Sequence, residues 1–305
     1  MESTNREYHI PVMLQECLDG LSINPDGTYV DVTFGGGGHS KAIWNQLSEK
    51  GTLISFDQDQ DALANTWKAD NFKFVQSNFS YLKNHLKMLG IKQVDGILAD
   101  LGVSSHQFDA GDRGFSIRTN DKLDMRMNQS AKKDAREVLN TYEAEDLAQI
   151  FYRFSDLKKV RPLVQNIINA KDSGKMETTS DLIDCLAPIA PKFKENKFYA
   201  QVFQAVRIEV NQEMAVLEDL LTQTAEVLKP KGRLVVMSYH SLEDRLVKNF
   251  VKRGSFTGEI EKDFFGNVLK PFTEITRHPV IANEEEIERN PRARSAKLRI
   301  AERNG

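Results

Sequence analysis

Asp31-Val32-Thr33-Phe34-Gly35-Gly36-Gly37-Gly38-His39 is the stretch on which the fold turns. In front of it Thr28-Tyr29-Val30-Asp31-Val32-Thr33 is short and rich in β-formers, and the glycines break it. Behind it Ile43, Trp44 and Leu47 recur at helical spacing. A strand passing through a glycine turn into a helix is the place where an α/β sheet meets a nucleotide-type cofactor.

The alternation continues downstream. Thr52-Leu53-Ile54-Ser55-Phe56 is an apolar strand ending in Asp57-Gln58-Asp59, and Asp59 is placed to cap a helix over 60–68. Strands over 72–75 and 94–99 bracket a helix over 81–89. Strands separated by helices predict βαβ units and a parallel sheet covered on both faces, with ligands outside the carboxyl ends of its strands. Those ends are 31–38, 57–59, 77–79 and 100–105.

From 109 to 200 the pattern changes. Segments 143–154, 157–171 and 180–190 read as helices, and no strand is evident. The alternation then resumes with a long helix over 210–228, a strand over 233–238, a helix over 241–252 with Glu243 and Asp244 in its first turn, and a weak strand over 296–301. The expected organisation is therefore a discontinuous Rossmann-like α/β domain, 1–108 with 201–305, interrupted by an all-helical insertion, 109–200.

Composition agrees with a folded α/β chain. The 305 residues are more than one compact core usually absorbs, and 40% apolar with 28% charged residues excludes a disordered or collagen-like chain. Cys17 and Cys185 are too few and too far apart for a disulfide framework. The six histidines show no i, i+4 pair and no cysteine partner, so no metal is expected. The N-terminal residues are polar, and no apolar run approaches the ~20 residues that span a bilayer; a soluble, cytoplasmic protein is expected. The net charge of −3 announces no nucleic-acid partner. Between 290 and 299, however, lie four cations and no acid, directly behind Glu284-Glu285-Glu286.

The glycine loop admits two cofactor readings. A dinucleotide fingerprint needs G-x-G-x-x-G, but its third glycine position, counted from Gly35, is Ser40. The other reading is S-adenosylmethionine, whose ammonium and sulfonium suit a carboxylate such as Asp31, whereas a pyrophosphate would be repelled by it. Asp57 stands where such sheets place the acid that accepts hydrogen bonds from ribose hydroxyls, a role that serves either cofactor. Phe79, just after the third strand, can stack on adenine. Asp100 opens Asp100-Leu101-Gly102-Val103-Ser104-Ser105-His106-Gln107, at the strand end that faces the reactive end of a cofactor. An exocyclic amine of a nucleobase is a poor nucleophile, because its lone pair is delocalised into the ring. An acceptor for its N–H bonds helps it to pyramidalise and then takes the proton, and Asp100 is the candidate for that catalytic role. His240-Ser241 beside Glu243-Asp244 is reminiscent of a hydrolase triad, but G-x-S-x-G is absent.

Several blocks together resemble one family. They are His9-Ile10-Pro11-Val12-Met13-Leu14, the loop 31–39, Val94-Asp95-Gly96-Ile97-Leu98-Ala99-Asp100-Leu101-Gly102-Val103-Ser104-Ser105, Arg113-Gly114-Phe115-Ser116 and Leu123-Asp124-Met125-Arg126-Met127. Further along come Phe203-Gln204-Ala205-Val206-Arg207-Ile208, Val210-Asn211-Gln212-Glu213, Ser238-Tyr239-His240-Ser241-Leu242-Glu243-Asp244-Arg245 and Asn290-Pro291-Arg292-Ala293-Arg294-Ser295. In this order, nearly end to end, they resemble the bacterial 16S ribosomal RNA cytosine-N4 methyltransferases.

The resemblance implies a Rossmann-like class I methyltransferase domain with a helical insertion, S-adenosylmethionine as methyl donor, and 16S rRNA, within the small ribosomal subunit, as partner. The target it implies is N4 of the cytosine at position 1402 in the decoding centre. Carried over position by position, the cofactor contacts fall on Gly37, Gly38, His39, Asp57, Phe79, Asp100 and Gln107. The chain departs from the family pattern at Arg153-Phe154-Ser155-Asp156-Leu157, where an acidic-glycine stretch is usual, and at Lys197-Phe198-Tyr199-Ala200-Gln201, where Pro-Ala-Thr-Arg is common. Candidate phosphate contacts are Arg113, Arg118, Arg126, Arg292 and Arg294. The competing readings are an NAD-dependent oxidoreductase and a module that binds S-adenosylmethionine or RNA without catalysis.

Overall fold

A computed structural model of the chain describes residues 11–104, 107–108, 112–174 and 176–305. The motif positions His9, Ile10, Ser105 and His106 lie outside the described residues. The chain divides into two compact units, residues 1–102 with 215–305 and residues 103–214.

The first unit is built on a seven-stranded sheet, which establishes the expected α/β class. Its strands are β1 (Thr28–Asp31), β2 (Thr52–Asp57), β3 (Phe72–Gln76), β4 (Val94–Asp100), β5 (Leu228–Ser238), β6 (Phe272–Glu274) and β7 (Lys297–Arg303), in the order β3-β2-β1-β4-β5-β7-β6. The five strands from β3 to β5 are parallel, and β7 runs antiparallel to both of its neighbours. Strand order reverses between β1 and β4, the switch point where a crevice opens at the carboxyl edge of such sheets.

Period-2 alternation supplies two cores. Val30, Ile54, Phe56 and Ile97 face one side, under Leu82 and Leu86 of α3 (Leu82–Met88) and Leu217, Leu220 and Leu221 of α9 (Glu213–Val227). On that side Val247 and Phe250 of α10 (Ser241–Arg253) complete the layer. Tyr29, Leu53 and Leu98 face the other side, under Leu18 and Leu21 of α1 (Leu14–Leu21) and Ile43 of α2 (Gly38–Trp44). Each such side chain, fully buried, contributes roughly 1.5–3 kcal/mol, so the strand ends are anchored to a stiff platform.

Local differences from the sequence reading have simple causes. The segment after Asp59 is a 3₁₀ turn over Gln60–Asn65 rather than a full helix; Ala62 alone is buried in it, too little apolar surface to hold a longer one. Asp59 does cap it, accepting from the Asp61 amide at 3.1 Å. The acidic run near the C-terminus is no mere solvated face. Glu286 of α11 (Glu284–Arg289) is buried and accepts the Met13 amide at 2.6 Å, tying the C-terminal segment to the start of α1.

The second unit, as far as it is described, contains helices and no strand: α4 (Ala135–Thr141), α5 (Ala144–Phe154), α6 (Val160–Ser173), α7 (Thr179–Leu186) and α8 (Glu195–Asn211). It differs from the expected 109–200 at both ends. At its C-terminal end the reason is α8, one continuous helix that buries Phe198, Val202, Phe203 and Val206 and packs on α4 and α5, so it cannot be divided at Ala200. The expected single helix over 210–228 breaks at Gln212, where φ is 51°. Arg207 and Glu213 are joined across the break by a two-pronged ion pair at 2.8 and 2.9 Å.

Candidate active site

Three of the four strands around the switch point end on aspartate: Asp31 on β1, Asp57 on β2 and Asp100 on β4. Asp31 is fully buried. Its Oδ2 accepts the Ser40 hydroxyl at 2.6 Å, and its Oδ1 accepts the Thr33 amide at 3.0 Å and the Thr33 hydroxyl at 3.3 Å. Ser40 in turn lies 2.7 Å from the Ser55 hydroxyl. The residue that breaks the dinucleotide fingerprint is therefore the residue that satisfies the buried acid, and a glycine there would remove that partner. Burial raises the Asp31 pKa against these hydrogen bonds.

Asp57 braces the glycine loop. Its Oδ2 accepts the Gly35 amide at 2.7 Å and its Oδ1 the Asp59 amide at 2.8 Å. A carboxylate offers about four acceptor positions, so each oxygen keeps a lone pair for a ligand hydroxyl. Burial pushes the Asp57 pKa up to about 6, opposed by the two amide bonds and reinforced by the charges of Asp59 and Asp31.

Within the loop the glycines have separate reasons. Gly37 sits at φ 78°, and a Cβ there would come 2.9 Å from the Phe34 ring. A Cβ on Gly38 would come 2.4 Å from Cγ of Pro11. Gly36 is exposed, and a Cβ on it would meet nothing within 4 Å. The fold demands glycine at 37 and 38, while the open side of the loop is at 36. Phe79 begins a 3₁₀ turn after β3 and packs partly on the core, leaving part of its ring exposed. The turn is tied to the Asp57 loop by the Asn78 side chain, whose Nδ2 donates to Gln58 Oε1 at 2.8 Å. The candidate adenine and ribose contacts are thus physically linked.

Asp100 ends β4 with its backbone amide donated to the Thr33 hydroxyl at 2.7 Å. Its Oδ1 accepts the Tyr239 hydroxyl at 2.8 Å, and its Oδ2 lies 3.6 Å from Nδ1 of His39. His39 is buried, with Nε2 3.1 Å from the Val12 carbonyl. A carbonyl only accepts, so Nε2 carries a hydrogen and Nδ1 is the nitrogen turned toward Asp100. Burial pushes the Asp100 pKa up to about 6; His39 and the Tyr239 hydroxyl oppose the rise, and the Asp31 and Glu243 charges add to it.

Gln107 belongs to the second unit. There it is buried, its Oε1 accepting the Ser104 amide at 3.0 Å while its own amide donates to the Ser104 hydroxyl at 3.1 Å. Sequence reading assigned no role to Thr33 and Tyr239. Tyr239 follows directly on β5, the strand beside β4, an adjacency that exists only in the folded sheet.

The candidate phosphate contacts divide. Arg113 is buried and donates to the Arg126 and Met127 carbonyls at 2.9 and 3.2 Å. Arg126 forks onto Asp124 at 2.7 and 2.6 Å and donates to the Ala131 carbonyl. Both guanidiniums are engaged in holding their own unit together. Arg118 and Arg294 are exposed and Arg292 is half-buried. In the cationic tail, Arg299 pairs with Asp244 at 2.7 Å and Lys297 lies 3.8 Å from the same acid.

The MraW methylase family model matches residues 6–304. The chain belongs to the MraW methylase family. Among the relatives of this MraW-family chain is "Ribosomal RNA small subunit methyltransferase H" of Parabacteroides distasonis, 54% identical over 304 residues, covering 99% of this chain and 100% of the relative. Proteins of the same name are 52% identical in Bacteroides thetaiotaomicron, covering 99% of this chain and 100% of that one, and 54% identical in Christiangramia forsetii, covering 97% of each. The MraW chain is a methyltransferase, and S-adenosylmethionine is its methyl donor. The residues fit that group. Asp31, Asp57 and Asp100 bring three acids to one sheet edge, and burial raises each pKa even though His39 opposes the rise at Asp31 and Asp100. Such an edge attracts a sulfonium and repels a pyrophosphate.

Proposed function

We propose that the protein methylates N4 of the cytosine at position 1402 of 16S rRNA, acting in the cytoplasm on the small ribosomal subunit. The observation that carries the reading is the Asp100 carboxylate at the carboxyl end of β4, held by Tyr239 and facing His39, on the edge where Asp57 braces the glycine loop. Bound S-adenosylmethionine supplies an electrophilic methyl group on a sulfonium. Asp57 would accept hydrogen bonds from the ribose hydroxyls, the Phe79 ring would lie against adenine, and Gly37, Gly38 and His39 would line the remainder. Asp100 accepts an N–H of the target amine, directs its lone pair toward the methyl carbon, and takes the proton as the new nitrogen–carbon bond forms. General-base assistance of this kind is worth ~10²–10⁴-fold.

The cytosine must leave its stack to reach that edge, at a cost of a few kcal/mol. We assign RNA recognition to the helical unit, and phosphate contact to Arg118, Arg292 and Arg294. Ser40, engaged by Asp31, and the acidic edge support this reading over an NAD-dependent oxidoreductase. The test is incubation of the protein with labelled S-adenosylmethionine and small subunits that lack the mark, followed by digestion and mass spectrometry of the nucleosides. N4-methylcytidine at the decoding centre is expected. Label elsewhere, or none while the cofactor is bound, overturns the assignment.

A further inference from the structure

Asp100 has two oxygens, and they stand in different surroundings. Oδ1 is taken by the Tyr239 hydroxyl at 2.8 Å. Among the described residues Oδ2 makes no hydrogen bond and lies 3.6 Å from Nδ1 of His39. Tyr239 is itself held at its backbone, where its amide donates to Oε2 of Glu243 at 2.9 Å. Glu243, buried in the first turn of α10, also serves that helix in a capping box with His240. The phenol thus reaches Asp100 from a strand end fixed on two sides, across 139 residues of chain.

Resting on the reading that Asp100 accepts the amine proton, we propose that Tyr239 is a positioning residue for methyl transfer: its hydroxyl occupies Oδ1, sets the rotation of the carboxylate and leaves Oδ2 as the one oxygen that meets the target amine. In the step itself the nitrogen lone pair forms the bond to the methyl carbon, the carbon–sulfur pair stays on sulfur, and the amine proton passes to Oδ2. The carboxylic acid so formed is reset by solvent after product leaves.

Every charged or titratable group facing Asp100 bears on its basicity. His39 at the start of α2 and the Tyr239 hydroxyl favour the carboxylate, while Asp31 at the end of β1 and Glu243 on α10 disfavour it. Cys17 on α1 and Glu243 face the same cluster from the Tyr239 side. Burial, with the Asp100 charge added, pushes the Tyr239 pKa far up, so the phenol stays protonated and donates throughout the working range.

The variant is Tyr239→Phe, which keeps the ring and removes only the donor. A hydrogen bond to a carboxylate favours its charged form, so losing it raises the Asp100 pKa. The acidic limb of kcat/KM against pH then moves up by about one unit. The kcat on the plateau falls about tenfold through lost alignment, while KM for the small subunit and cofactor affinity stay at parental values. A profile that superimposes on the parent's overturns the proposal. Carbon-13 titration of the aspartate carboxyls in the free protein supplies a second readout: the Asp100 resonance must titrate higher in the variant, and an unmoved midpoint overturns the proposal too. Asp100→Asn, run in parallel, separates the two failures. If it retains full activity, the underlying reading of Asp100 is wrong; if it is inactive while Tyr239→Phe is unchanged, only the role of Tyr239 is.

Discussion

The two units treat charge in opposite ways. At the carboxyl edge of the sheet, Asp31, Asp57 and Asp100 accept hydrogen bonds from neutral donors, namely Ser40, the Gly35 and Asp59 amides, and Tyr239. Hydrogen bonds of that kind satisfy geometry without cancelling charge, and burial raises all three pKa values. In the helical unit, Arg126 meets Asp124, Arg136 meets Asp134 and Arg207 meets Glu213, each acid within 4 Å of its guanidinium. The Asp124 pKa is lowered, the Arg126 bonds overcoming burial. Acids that among the described residues have no arginine or lysine ion pair, on a rigid edge, mark a site for a cationic ligand; charge cancelled inside a helical unit marks scaffold.

Breaking the contrast at its strongest point should have the largest effect. Asp100→Asn keeps an oxygen to accept the Tyr239 hydroxyl but removes the proton acceptor, so the transfer rate to small subunits should fall ~10²–10⁴-fold with the fold retained. A single-turnover assay with labelled donor, beside a circular dichroism spectrum, decides it; a loss under threefold would make Asp100 a structural acid. Next in size is the scaffold side. Arg126→Ala leaves Asp124 without its forked partner and should cost about 2–3 kcal/mol of unfolding free energy in denaturant titration. The exposed Arg294 is the counterpart: Arg294→Ala should leave stability within about 0.5 kcal/mol and reduce the salt slope of RNA binding by about one. If Arg126→Ala instead proves neutral to stability and weakens RNA binding, the division between site and scaffold charge fails.

These contrasts were only partly visible along the chain. The individual strands, their acidic ends and the cap at Asp59 depend on neighbours a few residues away, and local spacing announces such features. Ser40 stood out in the linear pattern as a missing glycine, but the reason for it, a buried Asp31, needs α2 folded back over β1. The Tyr239–Asp100 bond closes only when β5 is laid beside β4, so spacing alone cannot announce it. The arginines illustrate the converse: a sequence displays a cation but not its partner. Asp124 and Arg126 fork together two residues apart, across Met125 at φ 59°, a turn that no propensity of methionine foretells. The helical break at Gln212 is equally silent, since glutamine is itself a good helix former.

A further effect is a matter of pH, and it bears on whether the acidic edge is truly poised for a cation. Asp57 and Asp100 in the free protein have pKa values pushed up to about 6, and a bound cation favours their ionised forms. The ligand therefore lowers both values, and binding expels whatever protons the carboxylates still hold. Affinity is nearly full at pH 7 and is lost as pH falls through 6, by about tenfold between pH 7 and pH 5 for each carboxylate that must ionise. Calorimetry of S-adenosylmethionine binding in buffers of different ionisation enthalpy measures both quantities, and proton release should peak near pH 5–6. The neutral thioether product lacks the sulfonium charge, so its affinity should fall less steeply over the same range. If donor and product show the same pH dependence, then the carboxylates respond to the adenosine and amino-acid ends alone, and the sulfonium is held by shape rather than by charge.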